Sequence, residues 1–196
     1  MGKIFYIIGP SASGKDSLAR ALLREFGEKL SPLMMHTTRP IRSGEKEGEE
    51  YYFISPEEFC ALEAAGKVIE ARTYQTVHGP WTYATVDDGR IDLASHSYLA
   101  VGTLESYRKT AAYFGSERVV PLYIELDKGL RLARALNRER AQAEPKYAEM
   151  CRRFLADEQD FSEEKVAACH FPRVYVNNDF TACLEAMKET VEKELV

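Results

Sequence analysis

The apolar positions along the chain predict short buried strands that alternate with amphipathic helices. Residues 4–8 form an apolar run closed by Gly9-Pro10, which is typical of a buried strand in a parallel sheet. From residue 15 to 26 the apolar side chains recur at the spacing of one helix face. Further apolar patterns predict strands at residues 97–103, 119–126 and 173–177, and helices at 104–114, 128–141, 145–161 and 180–195. This alternation predicts an α/β fold in which helices cover both faces of a parallel sheet.

The tract from residue 37 to 88 breaks this alternation and predicts an inserted lobe rich in β-structure. Turn formers and acidic residues are frequent in it, and residues 45–50 are predicted to be solvated. Inside or beside this tract the pattern predicts strands at residues 33–35, 51–54 and 68–74 and a turn-rich aromatic stretch at 77–85. It also predicts a helix at 56–65, with Ser55 as its N-cap and Pro56 at its first position.

Composition and charge narrow the class of protein. A chain of 196 residues with 45% hydrophobic residues predicts one globular domain. The net charge of −5 argues against nonspecific nucleic-acid binding, so any phosphate ligand must meet locally concentrated cations. No apolar run approaches the ~20 residues of a membrane span, which predicts a protein without a membrane partner. The lack of paired cysteines predicts a cytoplasmic location. Four cysteines without C-x-x-C spacing predict reduced thiols, namely Cys60, Cys151, Cys169 and Cys183.

The first strand, the glycine loop after it and the next helix together predict a phosphate-binding loop. Gly9 and Gly14 let the backbone fold closely around an anion, because they carry no Cβ. Inward-pointing amides and the helix N-terminus then supply partial positive charge, and Lys15 adds a mobile full charge. An ordinary glycine-rich turn is the alternative, and the flanking strand and helix argue against it. The predicted ATP-binding residues of the loop are Gly9, Pro10, Ser11, Ala12, Ser13, Gly14, Lys15, Asp16 and Ser17.

Asp16 is a departure from the usual loop. The residue after the lysine is ordinarily Ser or Thr, whose hydroxyl contacts magnesium, and here a serine comes one place later, at Ser17. A carboxylate can bind Mg²⁺ directly or through water, since hard cations prefer oxygen ligands. We therefore predict Asp16 as a metal ligand.

A second phosphate site is predicted in the polar segment after residue 36. Arg39 and Arg42 lie three residues apart, and their planar guanidinium groups suit phosphate oxygens. Tyr51 and Tyr83 could add hydroxyl donors. Two solvated surface arginines are the alternative interpretation.

Two long motifs resemble the guanylate kinase family. GPSASGKDSL is similar to that family's nucleotide loop, and TTRPIRSGEKEGEEYYF to its monophosphate-binding stretch. The resemblance implies a three-layer P-loop kinase fold with an inserted monophosphate-binding lobe and a helical lid. It implies a core of residues 1–36, 89–137 and 148–196, a lobe of residues 37–88 and a lid of residues 138–147.

The resemblance also implies roles for individual residues. The acceptor phosphate would be held by Arg39, Arg42 and Tyr51, and Glu70 would read guanine N1 and N2. Tyr83 and Thr85 match a turn that completes the acceptor site. Lid arginines match Arg134, Arg138 and Arg153, and a residue beside the adenine matches Asn177. A surface ion pair on the helix is the alternative for each lid arginine.

Two departures from the family's sequence pattern, and one resemblance to a different kinase, weaken the implied recognition of guanine. The family's serine at guanine O6 falls at Met35 or His36, neither of which has a hydroxyl. The two acids of a core strand are absent from the matching Leu99-Ala100-Val101-Gly102. The GKDS sequence also resembles ribose 1,5-bisphosphokinase, which phosphorylates a sugar phosphate.

The sequence thus predicts a kinase that transfers the γ-phosphoryl group of ATP to GMP, giving GDP and ADP, with Mg²⁺. The predicted catalytic residues are Lys15, Arg39, Arg134, Arg138 and Arg153. Alternatives are a kinase of another phosphorylated acceptor such as ribose 1,5-bisphosphate, and a non-catalytic binding module. The predicted partners are small nucleotides, without nucleic acid or membrane, and the predicted protein is a monomer or homodimer.

Overall fold

The computed structural model describes residues 1–42, 44–76 and 79–195. Its strands are β1 (Ile4–Ile8), β2 (Ser31–Pro32), β3 (His36–Thr37), β4 (Tyr52–Phe53), β5 (Val68–Thr76), β6 (Gly79–Val86), β7 (Tyr98–Gly102), β8 (Val119–Glu125) and β9 (Val174–Val176). Its α-helices are α1 (Lys15–Phe26), α2 (Pro56–Ala64), α3 (Leu104–Phe114), α4 (Lys128–Arg140), α5 (Tyr147–Asp160), α6 (Glu163–Ala167) and α7 (Phe180–Glu194).

The core of the molecule is a five-stranded sheet in the order β2-β7-β1-β8-β9, and every strand pair in it is parallel. All five residues of β1 are buried, because this central strand is covered on both faces. After β1, the chain forms β2 and β7 on one side of this strand and then β8 and β9 on its other side. The direction in which strands are added to the sheet therefore reverses at β1. In open parallel sheets, ligands bind at such a switch point, beyond the carboxyl ends of the strands.

Helices cover both faces of this sheet, which confirms the predicted three-layer α/β architecture. On one face Leu18 and Leu22 of α1 pack with Met187 and Val191 of α7 in a single buried cluster. On the other face Leu104 of α3 joins a second cluster that also includes alternate residues of β1. Burial of these side chains is the main stabilising contribution to the core.

A second, four-stranded sheet has the order β4-β3-β6-β5 and is formed by residues 36–86. Its main unit is the antiparallel hairpin of β5 and β6. The prediction of a turn-rich stretch at 77–85 was wrong for residues 79–85, which belong to β6; Val77 and His78 lie outside the described residues. In β6, Thr82 and Ala84 are buried and alternate with half-buried Trp81 and Tyr83, a period-2 pattern typical of strands.

The predicted strand at residues 33–35 was also wrong. This apolar run lies between β2, in the core sheet, and β3, in the second sheet. The Leu33 amide donates to Leu99 O at 2.8 Å, so the chain leaves the core sheet here. Met34 and Met35 instead line the large cleft between the two sheets.

Helix termini follow the predicted capping chemistry. Ser55 Oγ accepts from the Glu58 amide at 3.1 Å, and Glu58 accepts from the Ser55 amide at 2.7 Å. This capping box fixes the start of α2. The short helix α6 had no prediction, and α5 begins at Tyr147, two residues after the expected start. Among the described residues, no helix is both long and apolar enough to cross a membrane.

Candidate active site

The glycine loop lies between β1 and α1, at the carboxyl edge of the core sheet. Gly14 has a left-handed backbone with φ of 93°, which glycine adopts without strain. A Cβ on Gly9 would lie 2.8 Å from Ser13 Oγ and 3.1 Å from Ile124 O. A Cβ on Gly14 would collide with the side-chain nitrogen of Asn177. Both glycines are therefore required by the close packing of the loop against its surroundings.

Asn177 braces this loop from behind. Its Nδ2 donates to Ser13 O at 2.7 Å, and its own carbonyl oxygen accepts from Arg134 Nη2 at 3.0 Å. Asn177 Oδ1 and Ser13 Oγ are buried and have no hydrogen-bond partner within the described residues. The structure thus places two of the predicted site residues behind the loop: Asn177 contacts the loop backbone, and Arg134 contacts Asn177.

Helix α5 contacts the same loop through a carboxylate that sequence reasoning did not assign to the site. The Ser11 amide donates to Asp157 Oδ2 at 2.9 Å, and Arg131 Nη1 donates to that same oxygen at 3.3 Å. Arg131 is buried, with its Cζ 4.0 Å from the centroid of the Phe154 ring, and it also pairs with Glu158. Helical spacing gave no signal for this contact, because it joins segments 146 residues apart.

Lys15 and Asp16 lie at the mouth of the loop and line a cleft of about 1300 Å³. Lys15 Nζ donates to Pro10 O at 3.4 Å, so the amine lies over the loop. Asp16 and Ser17 are exposed at the start of α1. In the part of the chain that the structure describes, no group of three or more His, Cys, Asp or Glu side chains forms a metal site.

In the lobe, Arg39 is buried behind Tyr51, which lines the cleft, and it is held by Glu45. Its two terminal nitrogens donate to the two Glu45 oxygens at 2.7 and 2.6 Å. Its Cζ also lies 5.2 Å from the ring centroids of Tyr51 and Phe53. The hydrogen bonds from Arg39 lower the pKa of Glu45 to about 2. The prediction of a solvated segment at 45–50 was therefore wrong for Glu45, whose side chain is only 18% exposed.

Arg42 differs from Arg39, because it is exposed and its backbone amide donates to Glu45 at 2.8 Å. Tyr51 lines the cleft, and its ring centroid lies 5.6 Å from that of Tyr83. These two tyrosines and Arg39 form one cluster at the lobe side of the cleft.

The β5–β6 hairpin presents a second polar cluster. Glu70 lies opposite Thr85 in the strand register, and Arg72 lies opposite Tyr83. Thr85 Oγ1 donates to Glu70 Oε1 at 3.2 Å, and Arg72 Nε lies 3.4 Å from Glu70 Oε2. The carboxylate of Glu70 is thus buried with two partners on its own hairpin.

The lid arginines are less closely grouped than predicted. Arg153 lines the cleft and pairs with Glu149 one turn away, at 3.1 Å, which is the alternative considered for it. Arg138 is exposed and lines a small neighbouring pocket together with Ser11. Arg134 donates a hydrogen bond to the backbone oxygen of Asn177. The structure therefore gathers Lys15 and Arg153 around one cleft and leaves Arg138 beside it.

The absence of an acid at position 102 has a steric reason. A Cβ on Gly102 would lie 2.5 Å from Tyr6 Oη and would collide with Ser106 Oγ. Burial raises the pKa of Tyr6 to about 12, so this hydroxyl stays protonated beneath the cleft. Position 102 has no room for a carboxylate while Tyr6 and Ser106 occupy this space.

Comparison with known proteins agrees with this geometry. A family model described as guanylate kinase matches residues 1–89. Guanylate kinases from Polaromonas sp. and Hahella chejuensis are 42% and 41% identical over 78 and 93 residues, covering 40% and 45% of this chain. These alignments span 36% and 44% of the two relatives, so the chain matches less than half of their length.

Other relatives match over nearly the whole chain. A guanylate kinase from Trichormus variabilis is 33% identical over 193 residues, covering 95% of this chain and 88% of that protein. The crystal structure of guanylate kinase from Anaplasma phagocytophilum matches with a TM-score of 0.61 and 26% identity, covering 100% of this chain and 87% of its own. Because identity and fold both extend over nearly its full length, this chain belongs to the guanylate kinase family.

Proposed function

We propose that the protein transfers the γ-phosphoryl group of ATP to GMP, giving GDP and ADP. The observation that carries this proposal is that the glycine loop and the acceptor side of the lobe face one cleft. Lys15 lines it from the core, and Tyr51 and Arg72 line it from the lobe. An intact loop with its lysine argues for catalysis over a non-catalytic binding module.

The chemistry requires positioning and charge neutralisation more than proton transfer. The acceptor phosphate is already anionic near neutral pH, so repulsion between two polyanions is the main barrier. Lys15 and the loop amides would hold the donor phosphates. Arg39, Arg42 and Tyr51 would hold the acceptor phosphate, with Arg39 pre-positioned by its bidentate pair with Glu45.

The lid arginines would complete the site around the transferring group. Arg153 already lines the cleft, whereas Arg138 lies beside it and Arg134 supports the loop. Positive charge placed around the equatorial oxygens stabilises the transition state more than the ground state.

Mg²⁺ would enter with ATP. This ion usually keeps several waters and binds through one or two carboxylates plus substrate phosphates, so it does not need a preformed cluster of ligands. Asp16, exposed at the mouth of the loop, fits that requirement and would hold the ion. When bound, the ion supplies positive charge to the phosphates.

Glu70 would select the base. Its carboxylate can accept from guanine N1–H and N2–H, whereas adenine presents an acceptor at N1. With adenine, the N1 lone pair would face this buried carboxylate and no hydrogen bond would form between them, at a cost of ~1–3 kcal/mol. We therefore infer a preference for GMP over AMP, with fewer discriminating groups than a site with a hydroxyl at Met35 and an acid at Gly102.

A coupled ADP-release assay over GMP, AMP and ribose 1,5-bisphosphate tests the proposal. We expect turnover with GMP well above turnover with AMP. Glu70→Gln should raise the KM for GMP at least tenfold and leave the KM for ATP within about twofold. Glu57→Gln, on the exposed start of α2, is the control. Phosphorylation of ribose 1,5-bisphosphate without any nucleoside monophosphate would overturn the base assignment.

We also propose the division into a core, a lobe of residues 37–88 and a lid of residues 138–147. We further propose a cytoplasmic monomer or homodimer. Its four cysteines are free thiols, and Cys183 is the buried one, which suits a reducing compartment. Light scattering at several concentrations tests the oligomeric state.

A further inference from the structure

We propose that Arg72 is a specificity-determining residue, which donates to guanine O6 while Glu70 accepts from N1–H and N2–H. This inference rests on the proposed function and deepens it. It assigns the recognition of the base to an ion pair on the β5–β6 hairpin.

The first support is the geometry of the pair. Glu70 and Arg72 are two residues apart on β5, so their side chains share one face of the hairpin. Glu70 is 4% exposed, and its carboxylate lies 3.4 Å from Arg72 Nε. The Arg72 side chain is 31% exposed and lines the cleft. Within the described residues, its guanidinium makes no hydrogen bond, so its terminal nitrogens are available to a ligand.

The second support is where this pair lies. Strand β5 packs against α3 of the core, and the charge of Arg72 acts on Tyr6 and Glu105 there. Arg72 therefore lies above the cleft floor that Val101 and Gly102 form. At this end of the cleft, Met35 offers only a thioether and Gly102 has no side chain, so neither can donate a hydrogen bond to guanine O6. Arg72, from the lobe, can supply that donor.

The third support is chemical complementarity. Guanine presents O6 and N7 as acceptors and, next to them, N1–H and N2–H as donors. Arginine commonly donates to O6 and N7, as it does when proteins read guanine in DNA. Adenine has an amino donor in place of O6 and an acceptor at N1. Arg72 would therefore face a donor, and Glu70 would face an acceptor.

The charge of the pair also argues against a second phosphate in this place. Glu70 and Arg72 together carry no net charge, which suits a neutral base. A phosphate contacting Arg72 would lie close to the Glu70 carboxylate, and like charges at this distance in a partly buried site repel strongly.

The test compares GMP with its 6-thio analogue, in which a weakly accepting sulfur replaces O6 while N1–H and N2–H remain. We expect the wild-type protein to prefer GMP. Arg72→Met should lower kcat/KM for GMP about tenfold or more and for 6-thio-GMP less than threefold, so their ratio collapses. Arg72→Lys should give an intermediate ratio, because one point charge replaces the planar fork.

Each other outcome overturns the proposal. Equal losses for the two substrates would mean that Arg72 only holds Glu70 in place. Unchanged kcat/KM values for both substrates in Arg72→Met would mean that Arg72 does not touch the base. If Arg72→Met does not fold, the ratio in Arg72→Lys decides in the same way. Arg24→Met, on the exposed side of α1, is the matched control. A wild-type protein inactive on every guanine nucleotide would instead refute the proposed function itself.

Discussion

Polar side chains of the candidate site are buried and paired within the protein itself. Arg39 is held by Glu45, and Glu70 is held by Thr85 and Arg72. Such pairing avoids the cost of a buried charge without a partner and fixes each group in one orientation. Arg39 and Glu70 are therefore each pre-organised, which reduces the entropy lost when a ligand binds them.

We expect the proposed transfer step to depend most on Lys15. Lys15→Ala should lower kcat by at least a hundredfold, because the amine acts on charge that develops during transfer. Folding should be unaffected, since the one hydrogen bond of Lys15 to another described residue is long, at 3.4 Å to Pro10 O. The exposed Lys29→Ala variant is the control. Steady-state kinetics together with circular dichroism provide the measurement, and a variant that keeps most of its turnover would contradict the assigned role.

His36 gives the protein a pH-dependent stability. Burial lowers its pKa below 6.5, only partly offset by the nearby Asp88 carboxylate, which lies 3.2 Å from Nε2. As the pH falls, the unfolded state takes up this proton first, so the folded state loses stability. The contribution is fully present above about pH 6.5 and is lost as the pH falls toward the folded-state pKa.

We therefore expect the free energy of unfolding to fall more steeply below pH 6.5 in the wild-type protein than in His36→Gln. Arg90 and Glu47 also act on His36 and remain in both proteins, so the difference between the two curves isolates the histidine. Urea titrations between pH 5 and 8 measure it. Parallel curves would show that His36 titrates alike in both states.

At the scale of elements, the carboxyl edge of the core sheet connects distant segments to the glycine loop. Asn177, after β9, donates to the loop, and Asp157, on α5, accepts from it. Both contacts join residues more than a hundred positions apart. The shape of the loop is therefore set by tertiary contacts as well as by its own glycines.

Asn177→Ala should loosen this loop. The change removes the donor to Ser13 O and leaves a buried carbonyl unpaired, at a cost of about 1–3 kcal/mol of stability. The KM for ATP should rise severalfold, because the loop amides lose their fixed positions. Asn178→Ala is the matched control, since Asn178 is exposed next in the chain. Equal KM values for the two variants would rule out the bracing role.

Local patterns predicted most elements, and the errors have physical causes. Strand β1, the helices other than α6 and the N-cap at Ser55 follow from periodicity and capping chemistry, which are local. Strand β6 was missed because its aromatic residues and glycine are also typical of turns. The pairs Arg39–Glu45 and Ser11–Asp157 could not be predicted, because sequence spacing does not determine which charges meet in space.

At the scale of the whole molecule, the two sheets enclose one large cleft. The cleft of about 1300 Å³ is lined by the core, the lobe and α5, and its cationic and acidic side chains are mixed. Lysine and arginine side chains balance aspartate and glutamate side chains in this lining, so the cleft is less acidic than the whole chain, whose net charge is −5. The predicted α/β fold and inserted β-rich tract thus create a site between elements that are far apart in sequence.

We expect the lobe of residues 37–88 and the lid of residues 138–147 to close on the core when both substrates bind. The reason is that the lid arginines do not yet converge on the cleft: Arg153 pairs with Glu149, and Arg138 lines the small pocket beside it. Convergence on one phosphate chain therefore requires motion. Closure also excludes water that would hydrolyse ATP.

Small-angle X-ray scattering with a bisubstrate inhibitor, in which adenosine and guanosine are joined by a phosphate chain, measures this closure. The radius of gyration should fall when the inhibitor binds. ADP alone should produce a smaller change, because it occupies only the donor side. Lys15→Ala at a saturating inhibitor concentration should still close if the acceptor residues drive the lobe, since Arg39 and Glu70 are intact. Identical scattering profiles with and without the inhibitor would show that the site is already closed.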